Sequence, residues 1–326
     1  MPVPSGYQRV FALLVLSATA AFAQSPVIPT TPYDYETHSV RMDLDYGKPY
    51  IQVMINGKGP FRFVVDTGTG GDAMVTPALA SQLGLPAVGQ ASLSDPSGIG
   101  GKSAPIVLID SLEFAGLTFA NIRALDHPFF AEAGDCDGIL GFTLFRDFLL
   151  TLDFPNRLVT LSAGQLTPDG GHTVLPFRMP DGVPIAMLKV DGLEPVEAQL
   201  DSGGGGLVIP TQLAARLKYD VDPIVWAIGR SVSTQFELKA GRLASDVRLG
   251  RYTFTHPVVE IHPAFPLVNF GSPPMQIFAI TFDQRNQLVR FQATQRRFSL
   301  NAPPSPTRLT HAPPTTPRPS GLVPVG

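Results

Sequence analysis

Apolar residues along the chain fall into short runs that either alternate with polar ones or stand unbroken for a few positions, the two patterns of strands buried on one face or on both. "YIQVMING" (50–57) and "PIAMLKVDG" (184–192) end at glycine, "FRFVVD" (61–66) and "VEAQLD" (196–201) end at aspartate, and "NRLVTL" (156–161) and "NQLVRF" (286–291) each open on an Asn turn signal. Helical patterning is confined to "PALASQL" (77–83), where Thr76 stands at the cap and Pro77 in the first turn, and "TQLAARL" (211–217), which follows Pro210. The pattern predicts an all-β chain with a few short helices.

The strand pattern repeats itself. A shift of 135 residues lays Asp66-Thr67-Gly68 on Asp201-Ser202-Gly203, Thr118-Phe119 on Thr253-Phe254 and His127-Pro128 on His262-Pro263. A shift of 130 lays "FLLTLDFPNRLVTL" (148–161) without a gap on "FAITFDQRNQLVRF" (278–291). Order is kept throughout, so the chain is expected to form two related lobes, 37–165 and 166–297, packed about a pseudo-two-fold axis.

The flanks have a different character. Arg9 precedes the apolar run "VFALLVLSATAAFA", and Ala21, Phe22 and Ala23 form a small-x-small site, so residues 1–23 have the layout of a secretory signal peptide. Residues 24–36 read as a linker, and the Pro- and Thr-rich stretch 298–326 as a disordered tail that buries too little apolar surface to offset chain entropy. No later run reaches the roughly 20 apolar residues of a membrane-spanning helix, so no stable membrane insertion is expected after signal cleavage. A single cysteine, Cys136, allows no internal disulfide, and the expected location is periplasmic or secreted.

Composition narrows the chemistry. With 44% hydrophobic and 16% charged residues the chain suits packed cores, and 24 Lys plus Arg against 27 Asp plus Glu leave a net charge of −3. Such a balance offers no electrostatic footprint for nucleic acid. The histidines show no H-E-x-x-H spacing and one cysteine cannot make a thiolate site, so neither metal nor cofactor is expected. What stands out is the pair "DTGTGG" (66–71) and "DSGGGG" (201–206), each closing an apolar strand. If the lobes pack symmetrically the two loops meet at the axis, and Asp66 and Asp201 face each other. Carboxylates so close share a proton, one serving as base and the other as acid for a water attacking an amide.

These stretches, with "DGILGFTLF" (137–145), resemble the aspartic peptidases of the pepsin and retropepsin type over roughly residues 45–295. The resemblance implies an acid-protease fold of two β-barrel-like lobes, with Asp66 and Asp201 catalytic. It implies that Thr67 and Ser202 bridge the loops by hydrogen bonds, that Gly68, Thr69 and Gly203 support the dyad, and that Ile139-Leu140-Gly141 and, more loosely, Asn269-Phe270-Gly271 cross behind it. Gly98, Ile99, Gly100 and Gly101 sit in order for a flap tip like that of retroviral proteases, and with no Tyr in that stretch the closer likeness is a retropepsin half duplicated within one chain. A monomer acting on a peptide or protein substrate is implied. Gly204 stands where a hydroxyl residue would bond the outer oxygen of Asp201, so the two carboxylates are expected in unequal surroundings.

Two rival chemistries fare worse. Ser202 as a nucleophile would leave the twin at Asp66 unexplained and lacks a histidine in a fitting context. A phosphate loop would place an acid against an anion and has no G-K-[ST]. The alternative that stays open is a peptide-binding module on the same fold with a silent dyad.

Overall fold

At the centre of the molecule, strand Leu149–Asp153 runs antiparallel to strand Ala279–Asp283, and Thr151 lies opposite Thr281. These threonines are equivalent under the 130-residue shift, and their hydroxyls meet at 2.9 Å, so the pseudo-two-fold axis passes between them. Outward on one side come Leu158–Ser162 and then His38–Arg41; on the other come Leu288–Gln292 and then Val174–Arg178. The resulting antiparallel sheet belongs to both lobes. The alternation seen in sequence reappears as alternating burial along 158–162, one face packed and one face partly open. Phe142 of the first lobe stacks edge-on against Phe282 of the second at 5.2 Å, carrying the core across the seam.

This is a computed structural model, and it describes residues 10–12, 36–45, 47–93, 102–128, 136–230, 235–263 and 265–301. Each lobe threads the same way. In the first, Lys58–Asp66 lies parallel to Gly138–Gly141, which pairs antiparallel with Ala73–Val75, itself parallel to Leu117–Asp126. In the second, Val196–Leu200 lies parallel to Val268–Phe270, which pairs antiparallel with Leu207–Pro210, itself parallel to Val258–His262. Each aspartate therefore ends a central strand flanked by the apolar-apolar-Gly segment. Phe63, Val64 and Val65 are fully buried, which is why the run before Asp66 is unbroken rather than alternating.

A long hairpin rises from each lobe: Ala87–Leu93 with Lys102–Phe114, and Tyr219–Arg230 with Gln235–Leu243. The helix Pro77–Leu83 forms as the sequence predicts, with Thr76 accepting from the N–H of Leu79 at 3.2 Å and Gly84 stopping it at φ 62°. Its counterpart is shorter than expected, Thr211–Ala214, because Pro210 at the cap offers no side-chain acceptor and no glycine closes the end. Two further pairings lie at the edges. Val10–Ala12 runs parallel to Ile228–Arg230. Arg297–Phe298 runs parallel to Thr253–Phe254, and the N–H of Val258 donates to the carbonyl of Leu300, so the chain is still part of the second lobe three residues beyond 297.

Candidate active site

The two Asp-hydroxyl-Gly turns meet at the seam between the lobes. Each carboxylate accepts from the backbone two residues on: the N–H of Gly68 reaches Asp66 Oδ1 at 2.8 Å, and that of Gly203 reaches Asp201 Oδ1 at 3.0 Å. The glycines also set the approach of one loop to the other. A Cβ on Gly68 would fall inside the carboxyl group of Asp201, and a Cβ on Gly203 inside that of Asp66, so each carboxylate rests against the other lobe's glycine. The second-position hydroxyls lock this contact in four hydrogen bonds. Thr67 Oγ1 donates to the carbonyl of Leu200 at 2.7 Å and accepts from the N–H of Ser202 at 3.0 Å. Reciprocally, Ser202 Oγ donates to the carbonyl of Val65 at 2.7 Å and accepts from the N–H of Thr67 at 3.0 Å. Both residues are fully buried, and each hydroxyl both donates and accepts across the seam.

The outer carboxylate oxygens are held differently in the two lobes. Thr69 Oγ1 donates to Asp66 Oδ2 at 2.8 Å. Gly204 offers no such donor to the equivalent oxygen of Asp201, and a residue distant in sequence supplies one instead: Asn269 Nδ2 donates to Asp201 Oδ2 at 2.6 Å. A Cβ on Gly204 would lie 2.7 Å from that same oxygen and 3.0 Å from Asn269 Oδ1, so the missing side chain is what admits the amide. Sequence reasoning noticed Asn269 only as an imperfect match to an apolar turn. Its signal was the polar residue standing where the first lobe has Ile139.

Electrostatics make the pair unequal. Burial first, and then the neighbouring charge of Asp66, push the Asp201 carboxyl far above the usual carboxylate range, while the Asn269 amide pulls it back down. A second residue missed in the sequence adds a cation. The register Tyr50↔Val64, followed to the ends of the two strands, brings Lys48 opposite Asp66. Burial lowers the pKa of this half-buried lysine and the charges of Asp66 and Asp201 raise it; in return its ammonium favours the ionised form of Asp201. The neighbouring Gly47 carbonyl accepts from Ser272 Oγ and, at 3.0 Å, from Gln276 Nε2 of the second lobe, which fixes the start of this strand at the seam.

The expected flap and two other side chains sort as follows. The flap residues Gly98, Ile99, Gly100 and Gly101 lie outside the described residues, although both strands leading to them pair as a hairpin. Cys136 donates to the carbonyl of Gly138, and its thiol is pushed up to about 11, chiefly by burial, which suits a packed thiol rather than a nucleophile. Trp226 is half-buried on the second hairpin. Among the described residues no group of three or more His, Cys, Asp or Glu converges to hold a metal ion.

Two comparisons bear on this geometry. A family model described as aspartyl protease matches residues 51–144 and again 186–277, one match for each lobe. A search of curated proteins returned no match.

Proposed function

The chain belongs to the aspartyl protease family, and on that premise we propose that it is an endopeptidase hydrolysing peptide bonds with a water activated between Asp66 and Asp201. The observation that carries the reading is the reciprocal seating of each carboxylate against the other lobe's glycine, which makes the two acids nearest neighbours across the seam. Asp66, accepting from Gly68 N–H and Thr69 O–H, is set up as the base. Asp201, whose raised pKa keeps its proton, is set up as the acid. As the water oxygen bonds to the amide carbon, Asp66 takes the water proton and Asp201 protonates the carbonyl oxygen. Collapse of the tetrahedral species returns a hydroxyl proton to Asp201, while Asp66 protonates the departing nitrogen as the C–N bond breaks. Side chains supply all of this chemistry, and no cofactor is required.

Both acids come from one chain, which supports a monomer as the working form. The N-terminal layout, residues 1–23, supports export to the periplasm or beyond it.

Asp66→Asn and Asp201→Asn should each lower kcat by about 10^2- to 10^4-fold on a peptide that the wild type cuts, with circular dichroism unchanged. Cleavage that persists in either variant overturns the assignment. Binding of peptides without cleavage anywhere between about pH 3 and about pH 8 would instead make the cleft a binding module.

A further inference from the structure

The face of each lobe's sheet that carries the aspartate is built from one cross-strand row. In the first lobe the row runs Val64, Ile139, Met74, Leu125, Ile106, and it is apolar throughout and buried. In the second lobe the equivalent row runs Gln199, Asn269, Val208, Glu260, Ala240. Gln199 Nε2 donates across the seam to the Gly68 carbonyl, and Asn269 holds Asp201, so this face looks into the space between the lobes. Glu260, which pairs with Val208 where the first lobe has Leu125, is only 8% exposed, and its Oε1 has no hydrogen-bond partner among the described residues.

The carboxylate occupies a prepared space. A Cβ on Gly206 would fall on Glu260 Oε1, and the three nearest atoms it would meet all belong to Glu260, so the last glycine of "DSGGGG" makes room for this side chain. On the same row Asn269 Oδ1 is also buried without a donor among the described residues. Two unmet acceptors therefore line the glycine run beside Asp201. His262, which follows on the same face, offers no counter-ion, because burial lowers its pKa to about 4. The residues directly opposite Glu260 and His262 on the flanking strands, Val208, Pro210 and Ala240, are uncharged. A buried acceptor pair of this kind complements a side chain that carries only donors, and lysine and arginine are such side chains.

We propose that Glu260 forms a cation-recognising subsite on the second-lobe side of the cleft, selecting peptides with a lysine or arginine there while the first-lobe side takes apolar residues. The proposal rests on the peptide reading of the cleft. In the free protein burial pushes the Glu260 carboxyl up to about 7, so the subsite takes its cation with release of a proton and works best above that pH. The other titratable or charged groups on this face are His262, Asp201 and, two residues along from Ala240, Arg242, whose guanidinium donates to the His256 carbonyl at 3.0 Å.

The test uses matched peptides with Lys or Met scanned through each position around the cleavage site. It reads both kcat/KM for the wild type and affinity, by fluorescence anisotropy, for the Asp66→Asn protein. At one position on one side of the scissile bond, Lys should exceed Met by at least about tenfold, more so at pH 8 than at pH 6. Glu260→Gln should bring the ratio towards one. Gly206→Ala should do the same by displacing the carboxylate without removing its charge, which guards against a folding defect in either variant. Cleavage without a Lys preference, or a preference that survives both substitutions, overturns the subsite and leaves the peptidase intact. A Lys preference in affinity without cleavage keeps the subsite and removes the peptidase. No binding and no cleavage overturns both.

Discussion

The two lobes solve one problem twice and not in the same way. Each must hold a carboxylate at the end of a buried strand, and for the inner oxygen both use the N–H of the glycine two residues on. For the outer oxygen the first lobe uses a hydroxyl three residues away, Thr69, whereas the second uses an amide from a separate strand, Asn269. Around them the divergence widens. Lys48 in the first lobe corresponds to Val183 in the second, and the apolar row ending at Leu125 and Ile106 corresponds to one carrying Asn269 and Glu260. Symmetry is kept where the two Asp-hydroxyl-Gly loops touch across the axis and lost in the supports of the outer carboxylate oxygens. Contacts across the axis constrain both repeats at once, so a change in one must be matched in the other; contacts within a lobe are free to drift.

The comparison can be broken most severely at its symmetric centre. Gly68→Ala and Gly203→Ala should each force the loops apart, costing about 1–3 kcal/mol of stability and most of the activity. The two losses should be similar, because each Cβ meets the opposing carboxyl at the same depth. Thermal melts and kcat measured side by side check this, and a variant with full activity would mean that the loops are not pressed together as described.

The asymmetric supports should behave differently from one another. Asn269→Ala removes a donor that favours the ionised form of Asp201, so the alkaline limb of the kcat profile, where the shared proton is lost, should move to higher pH. Thr69→Val acts on the other acid and should lower kcat through the base. A pH profile of Asn269→Ala superimposing on that of the wild type would show that the amide does not tune the pair.

Lys48→Met should shift the same alkaline limb in the same direction by less, since Asn269 outweighs the lysine in its effect on Asp201. The shift should shrink as salt is added, which a lost hydrogen bond would not do. Val183, at the equivalent place, carries no charge, and Val183→Ala should leave the limb where it is.

The smallest effect is expected on the axis itself. Thr151→Val and Thr281→Val each remove one side of a hydroxyl pair and should cost roughly 1 kcal/mol or less, Thr281→Val the more because its buried hydroxyl also accepts from Arg290 at 3.3 Å. Urea denaturation of the two variants measures this, and a larger loss for Thr151→Val than for Thr281→Val would overturn it.

Much of this was legible in the chain. The duplicated motifs gave Asp66 and Asp201 by position, and the bridging hydroxyls of Thr67 and Ser202 came from the resemblance to aspartic peptidases. Asn269 was legible only as a departure from an apolar pattern, because its partner lies 68 residues away and nothing local announces the contact. Lys48 reads in sequence as an ordinary charge before a strand, and only the register with Lys58–Asp66 brings it to the dyad. Glu260 sits in "VVEIH", where a glutamate in an edge-like run looks solvated; its burial comes from strands on both sides that the sequence does not order.

The amino-acid sequence by itself determined the repeat, the strand pattern and the identity of the two acids, since these depend on local periodicity and on residues close together in the chain. The tertiary structure alone decided which side chains support and surround those acids. Parallel and antiparallel pairings set those neighbours across large separations, and in a sheet a shift of a single residue turns every side chain to the opposite face.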